Sequence, residues 1–288
     1  MKQLGFVTSS EDPGLTEDDK LVFTHLKERG FIVSPVIWDA HPSLVNYDAL
    51  IFRSCWNYHR KKNDFFKWLE HLKKMSIPVL NPISLCEWNV DKTYLIELQS
   101  KGVLMPKTIL LKTGIQEIPN FDDVFQSEDL VIKPAVSLNG HDTYRINRKD
   151  SKTIHDVIQS ISVSRDVLVQ EYMPEIQSSG ELSFIFFNSE FSHAIRKIPC
   201  QNEFRIHVEY GGSRQLHLPS PDEISQARSV LNFIRENLLY CRVDCILRDN
   251  KLFLIELEII DPMLFLGADE GARKKFADAI AIKLSLNH

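Results

Sequence analysis

The 288-residue chain has no run approaching the ~18 consecutive apolar residues of a membrane-spanning helix. It has no long basic block either, and its net charge is −5. That argues against a nucleic-acid backbone as its main partner. The opening stretch "MKQLGFVTSSEDPG" carries one lysine and then turns acidic, whereas a secretory signal would have a longer apolar centre. The five cysteines, Cys55, Cys86, Cys200, Cys241 and Cys245, lack metal-ligand spacing, so reduced thiols in a cytoplasmic protein are the expectation. The ten histidines are scattered, and no Ser–His or Cys–His arrangement is visible. Repeats and low-complexity segments are missing as well. What remains is an ordinary composition, 43% hydrophobic and 25% charged, long enough for about two domains or one larger multi-lobed unit.

The first third alternates strand and helix signals. "QLGFV", "FIVSPVIW", "YDALIFRS" and "IPVLN" read as strands. Between them, "TEDDKLVFTHLKERG" reads as a helix capped by Thr16 and ended by Gly30, and "KKNDFFKWLEHLKKM" as a second amphipathic helix. This alternation predicts a parallel sheet with flanking helices over residues 1–84. Next, "WNVDKTYLIELQSKG" predicts a helix capped by Asp91 and stopped by Gly102. "DLVIKPAV", "DTYRIN" and "VLVQEYM" read as strands, with the helix "SKTIHDVIQSI" among them. Beyond residue 180, hairpins dominate: "ELSFIFFN-SEFSHAIRKI" and "RVDCILRDNKLFLIELE". Ser220, Pro221 and Glu223 open a capping-box helix through "SPDEISQARSVLNFIREN", and "GARKKFADAIAIKL" closes the chain as a helix.

The stretch "KLFLIELEIIDP" sets the chemical question. Glu256 and Glu258, two apart on a strand, share a face between apolar neighbours. The preceding strand turns at Asp249-Asn250 and pairs back as a hairpin. A three-residue loop places Asp244 opposite Glu256, on the face of Glu258; a two-residue loop turns it away. Three clustered carboxylates repel unless neutralised. A hard divalent cation would do so, and Mg²⁺ usually combines one or two carboxylates with substrate phosphates. A solvated acidic face, or one paired with arginines, is the plainer alternative.

Cations to complement phosphates are present. Lys133 is the only charge in the apolar run "LVIKPAV", followed by the small-residue loop "SLNG"; an edge-guarding lysine is the plainer reading. Lys92 sits at a helix start, Lys197 ends the strand "EFSHAIRKI", and Glu181 opens the strand before it. "VLVQEYMPEI" runs from a strand into a linker that could offer its backbone to an adenine edge, or simply connect two lobes.

In their order, Lys92, Lys133-Pro134, the loop through Gly140, "QEYM", Gly180-Glu181, Lys197, Arg242-x-Asp244 and Glu256-x-Glu258 resemble the ATP-grasp ligases, over about residues 80–288. "GELSFIFFNSEFSHAIRKIP", "FRIHVEYGG" and "IELEIIDPMLFL" look most similar to the branch of D-cycloserine ligase and glutathione-synthetase-like enzymes. The resemblance implies an α/β protein with an ATP-grasp fold behind a Rossmann-like N-terminal domain. It implies three parts: a substrate-binding domain at 1–84, a lid lobe at 85–172, and a metal-bearing lobe at 173–288. It also implies roles. Lys92, Lys133 and Gly140 contact ATP phosphates, and Glu171, Tyr172 and Met173 hold adenine. Glu181 binds the ribose, and Lys197 reaches the γ-phosphate. Arg242 stabilises the acyl intermediate. Asp244, Glu256 and Glu258 hold two Mg²⁺ ions. Glu258 departs from the Asn common at the last position, and the loop 136–140 has only one glycine.

In such ligases a substrate carboxylate attacks the γ-phosphate, and an amine captures the acyl phosphate. The protein supplies positioning and charge, with little side-chain acid–base chemistry. For the substrate carboxylate, Arg53 in "FRSCWNYH" is a candidate, with Trp56 and Tyr58 as walls, because it follows a strand whose carboxyl end should face the cleft. A salt bridge with two packed aromatics is the alternative. Arg205 in "EFRIH" is a second candidate, for that carboxylate or for a phosphate. The reading is an ATP- and Mg²⁺-dependent carboxylate–amine ligase for small amino-acid-like molecules, with no nucleic-acid or membrane partner, cytoplasmic, and compatible with a homo-oligomer. Its rivals are an ATP-grasp kinase and a nucleotide-binding module without catalysis.

Overall fold

The computed structural model describes residues 1–201, 203–206 and 210–286; residues 207–209 of "FRIHVEYGG" lie outside them. The N-terminal strands β1 (Lys2–Thr8), β2 (Phe31–Ile37), β3 (Ala49–Ser54) and β4 (Val79–Leu80) form the expected parallel sheet, in the order β2-β1-β3-β4. Strand β3 is buried along its whole length, as a central parallel strand covered on both faces should be. The first predicted helix begins where expected, with Thr16 accepting the Asp19 N–H, but it breaks at Leu21–Val22 into α1 (Glu17–Lys20) and α2 (Phe23–Glu28). Helix α3 (Lys62–Lys73) buries Phe65, Trp68, Leu69 and Leu72 against the other side.

The predicted helix 88–102 is two helices. Trp88–Val90 belong to α4 (Ile83–Val90), and α5 (Tyr94–Ser100) starts afresh. The break leaves Lys92 between them, where the Asp91 carboxylate accepts the Thr93 N–H at 3.1 Å.

A second sheet, antiparallel, orders β5 (Thr108–Leu111), β8 (Val167–Glu171), β6 (Asp129–Pro134) and β7 (Tyr144–Asn147), backed by α6 (Ser151–Ser162). The short helix α7 (Glu175–Ser178) leads into the third sheet. That sheet orders β11 (Ser213–His217), β10 (Glu190–Ile198), β9 (Glu181–Phe187), β12 (Tyr240–Arg248) and β13 (Lys251–Glu258). The capping box on Ser220 and Glu223 forms, but α8 (Pro221–Ser229) gives way to a 3₁₀ turn over Val230–Phe233 instead of running to 237. The last helix is α9 (Glu270–Leu286). No helix among the described residues is long and apolar enough to cross a membrane.

Strand β9 is buried on both faces. Leu182, Phe184 and Phe186 pack with β12, β13 and α5. Ile185 and Phe187 pack against α9 and the first sheet, in one cluster with Phe6, Ile51 and Phe276. Glu181 and Ser183 continue that second face towards a cavity, so one face of one strand is greasy at one end and polar at the other.

Strand β13 is an edge, and its outer backbone groups are satisfied largely by side chains. Tyr94 Oη donates to the Leu257 carbonyl at 2.9 Å and accepts the Leu257 N–H at 3.0 Å. Asn89 donates to the Leu257 carbonyl and accepts the Ile259 N–H. Asn81 donates to the carbonyls of Ile259 (2.7 Å) and Tyr240 (2.8 Å) and accepts the Leu239 N–H (2.6 Å). These three residues fasten the chain between the first two sheets onto the strand that carries Glu256 and Glu258. Replacing Asn81 by Ala strands three buried backbone groups without partners. We expect a loss of about 2–4 kcal/mol, read as a lower urea midpoint at unchanged slope; an unchanged midpoint would show the clamp to be dispensable.

Candidate active site

The β12–β13 hairpin turns through two residues, Asp249 and Asn250, both left-handed (φ 50° and 60°), with Arg248 opposite Lys251. A two-residue loop alone would face Asp244 away from Glu256. The register shifts by one between Asp244 and Cys245, so that Cys245 faces Leu254 while Asp244 faces Glu256. Ile255 is the extra residue of this bulge and lines the cavity beside Glu256 and Glu258. Bulges re-aim side chains in this way. Asp244 thus reaches the expected position by a route other than the three-residue loop.

The three carboxylates do not stand as an open metal cluster. Among the described residues no three His, Cys, Asp or Glu side chains converge as a ready-made metal site. Asp244 is saturated: it accepts from Ser183 Oγ (2.5 Å) and Arg242 Nη2 (2.9 Å), and Lys197 Nζ lies at 3.3 Å. Arg242 also pairs with Glu258. Glu256 pairs with Lys92 at 3.2 Å, and Lys197 with Glu181 at 2.6 Å. Gly180 is required here. Its φ is +76°, and a Cβ would sit 2.5 Å from the Lys197 carbonyl oxygen, so a side chain would prise Glu181 off Lys197.

Desolvation sets the protonation. Burial pushes Glu258 up, and Glu256 and Asp244 push it further, against the pull of Arg242. Burial also pushes Asp244 up, but Arg242 and Lys197 outweigh it and hold that carboxyl well below the ordinary range. Burial, reinforced by Lys92, pushes the Lys133 ammonium down to about 8.

The opposite wall comes from the second sheet and its exit. Lys133, Gln170, Glu171, Tyr172 and Met173 line the same cavity, as do Ser137, Leu138, Asn139 and Gly140 of the loop after β6. Lys92 anchors that loop, donating to the Ser137 carbonyl at 2.6 Å. The loop turns through positive φ at Asn139, Gly140 and Asp142, residue types that tolerate it. Lys92, Lys133, Glu181, Lys197, Arg205, Arg242, Asp244, Glu256 and Glu258, far apart in sequence, therefore share one cavity. Arg205 reaches it while paired with Glu203 at 2.7 Å and stacked 3.6 Å over the Tyr210 ring.

Two expectations need correction. Arg53 does not face the cavity. It is buried, pairs with Asp19 at 2.7 Å, donates to the Pro262 carbonyl and lies over Tyr240. Tyr58 is stacked on Phe65 within the first domain's core. The sheet's carboxyl end does point to the cleft, but the chain turns after Ser54, and of the trio only Trp56 lines the cavity. Arg53 is a structural ion pair because α1 supplies a buried acid within reach; the acidic run "EDD" was the available signal. Sequence reasoning also missed Ile206, Arg214, Ile246, Asp261, Met263 and Phe265 in the wall. The apolar ones look like ordinary core residues in sequence, and Arg214 is one of the exposed residues of the edge strand β11.

Comparison with known proteins places this geometry. Residues 4–81 match the family model of the N-terminal domain of D-cycloserine synthetase DcsG, and residues 91–266 that of the ATP-grasp domain of prokaryotic glutathione synthetase. The chain is 26% identical over 251 residues to the cycloserine biosynthesis protein DcsG of Streptomyces lavendulae, covering 83% of this chain and 84% of that one. It is 26% identical over 220 residues to a glutathione synthetase of Prochlorococcus marinus, covering 75% and 67%. The crystal structure of D-cycloserine synthetase DcsG superposes with a TM-score of 0.87 at 21% identity, over 98% of this chain and 99% of that one. That of D-alanine–D-alanine ligase from Bacillus anthracis complexed with ATP gives 0.68 at 16% identity, over 100% and 98%. The chain belongs to the ATP-grasp ligases, in the prokaryotic glutathione synthetase family.

Proposed function

We propose that the chain is an ATP- and Mg²⁺-dependent ligase that joins a small, amino-acid-like carboxylate to an amine through an acyl phosphate. The carrying observation is one cavity in which Lys92, Lys133, Lys197 and Arg242 meet Glu256 and Glu258. The proposed division is a substrate-side domain at 1–84, a lid lobe at 85–172 and a lobe bearing the acidic strand at 173–288. Lys92, Lys133 and the loop through Gly140 take phosphates. The exit of β8, Glu171–Met173, takes adenine, and Glu181 takes ribose. Lys197 and Arg242 stabilise charge on the transferring phosphoryl and acyl groups. With Arg53 engaged elsewhere, Arg205 and Arg214 are the arginines in the wall suited to a substrate carboxylate.

Charge balance supports a metal. Among the described residues lining the cavity, six cations (Lys92, Lys133, Lys197, Arg205, Arg214, Arg242) face six carboxylates (Glu171, Glu181, Asp244, Glu256, Glu258, Asp261). A triphosphate added to a balanced site needs cations of its own. Glu256 and Glu258 fit Mg²⁺: hard oxygen donors, side by side, the second with its pKa raised by burial and by its carboxylate neighbours. When bound, Mg²⁺ would neutralise phosphate charge. Asp244 joins only by giving up Lys197 or Arg242, so the two-carboxylate set suits one ion, and a second requires that exchange.

Incubation with Mg·ATP and the L- and D-amino acids should yield ADP, phosphate and an amide. A phosphorylated substrate would instead make it a kinase, and no turnover or nucleotide binding by folded protein would leave a module without catalysis.

Glu258→Gln separates metal site from scaffold. A carboxyl with a raised folded pKa binds its proton more tightly when folded, so its ionised form costs stability above the unfolded pKa. Gln removes that cost along with the pair to Arg242. The variant should melt within about 3 °C of the parent, while turnover falls by about two orders of magnitude or more. A destabilised variant with normal turnover would make Glu258 scaffold.

Lys133 gives a pH test. Below about 8 its ammonium is charged before nucleotide arrives; above that, each bound ATP must also take up a proton. ATP affinity should fall by up to about tenfold per pH unit as pH rises past this point. Lys133→Met should bind weakly throughout and lack the fall; a wild-type profile flat across this range would contradict the assignment.

A further inference from the structure

Strands set three of the cavity's cations in place: Lys133 on β6, Lys197 on β10 and Arg242 on β12. Arg205 has no such support. It belongs to the segment between β10 and β11, where residues 203–206 form neither helix nor strand. A long side chain on such a segment loses much rotamer freedom on being fixed. Glu203 supplies the restraint. Its N–H donates to the Cys200 carbonyl at 3.0 Å, which roots it just past β10. Its Oε1 accepts the N–H groups of Phe204 (2.9 Å) and Arg205 (3.0 Å) and also Arg205 Nε (3.1 Å), and its Oε2 accepts Arg205 Nη2 (2.7 Å). One carboxylate thus holds Arg205 both at its main chain and at its tip. The Tyr210 ring covers the guanidinium face at 3.6 Å.

Phe204, Arg205 and Ile206 line the cavity, and Glu203 is not among the lining residues. The pair does little for stability: the Arg205 and Glu203 side chains are 29% and 22% exposed, and ion pairs open to solvent contribute little. What it fixes is direction. The Nε–Nη2 edge of the guanidinium is spent on Glu203, which leaves Nη1 and the second Nη2 hydrogen as the fork for another carboxylate. We propose that Glu203 is a positioning residue for the ligation: it acts through Arg205, aiming that fork at the carboxylate of the acid substrate. This rests on the ligase reading. Held in register, one carboxylate oxygen bonds to the γ-phosphorus as the bond to ADP breaks with its electron pair leaving on ADP. The Arg205 guanidinium pulls the Glu203 carboxyl down to about 2, against its partial burial and helped by the two N–H groups. The clasp therefore stays ionised near neutrality.

Glu203→Gln keeps the shape and an acceptor for the N–H groups but sets an amide NH₂ against Nη2, so the tip is released. Glu203 is partly exposed, so losing its charge changes the field in the cavity little. With the amino acid that the parent chain selects from the pool, kcat/KM for the acid should fall at least about tenfold, while KM for ATP stays within about twofold. In an Arg205→Ala background, Glu203→Gln should add less than about twofold, as a residue acting through Arg205 must. Unchanged kcat/KM, at whatever melting temperature, overturns the proposal. So does a loss that multiplies with that of Arg205→Ala, or a matching rise in KM for ATP. A second arm needs no turnover: phenylglyoxal modification of Arg205 in the full chain, located by peptide mass, with acetate as the probe. Acetate should slow the modification in the parent chain, and at least about tenfold more should be needed in Glu203→Gln. Equal protection in the two, or none in the parent, overturns the proposal. Failure of the parent chain to form any amide sinks the ligase reading instead, and the acetate arm then judges Glu203 by itself.

Discussion

The outer edge of strand β13 is held by the side chains of Asn81, Asn89 and Tyr94, where a neighbouring strand would otherwise pair. Much of the molecule depends on that substitution. An exposed edge would be a template for pairing with another chain. A further strand there would close off the side from which α4 and α5 reach the sheet. Amide and phenol groups satisfy the backbone while leaving the strand's other face free for Glu256 and Glu258. The same contacts tie the segment leaving the parallel sheet to the antiparallel one, so the three sheets meet around one cavity.

Within that cavity the governing constraint is the cost of burying charge. Lys197, Glu181, Asp244, Arg242 and Glu258 form a continuous chain of opposite charges, because an isolated ion in this setting would be neutralised by a pKa shift. Glu258 and Lys133 show where compensation is incomplete: burial raises the first and lowers the second. A buried group whose charge is left partly uncompensated is a candidate for binding a charged ligand. Asp261 is a third group that burial raises, with one oxygen lacking a hydrogen-bond partner.

The corrections share a cause. Arg53 has the sequence context of a cleft residue, yet a buried acid on α1 captures it. The 88–102 segment has continuous helical character, yet it is cut at Asp91–Thr93 so that Lys92 can reach both Glu256 and the loop carbonyl of Ser137. Asp244 has the right position, yet its oxygens are spent on Arg242, Lys197 and Ser183. In each case the partner lies far away in the chain, and local pattern carries no information about it.

What the sequence by itself determined was the alternation that makes a parallel sheet over the first 80 or so residues, the hairpins of the second half, the capping box at Ser220, and the order of cations and acids along the chain. These follow from periodicity, capping chemistry and turn residues, which act within a few positions. The bulge at Ile255 stands at the border. Its trace is legible in the buried positions Leu252, Leu254, Leu257 and Ile259, where the spacing of two breaks once, but alternation alone does not say which partner residue the break realigns. Only the tertiary structure decided that Asp244 faces Glu256, that Arg53 is scaffold, and that Trp56 and Asp261 share a wall. Those outcomes depend on which buried charge finds a counter-charge across the fold, a balance of desolvation and pairing that exists only once the sheets have packed.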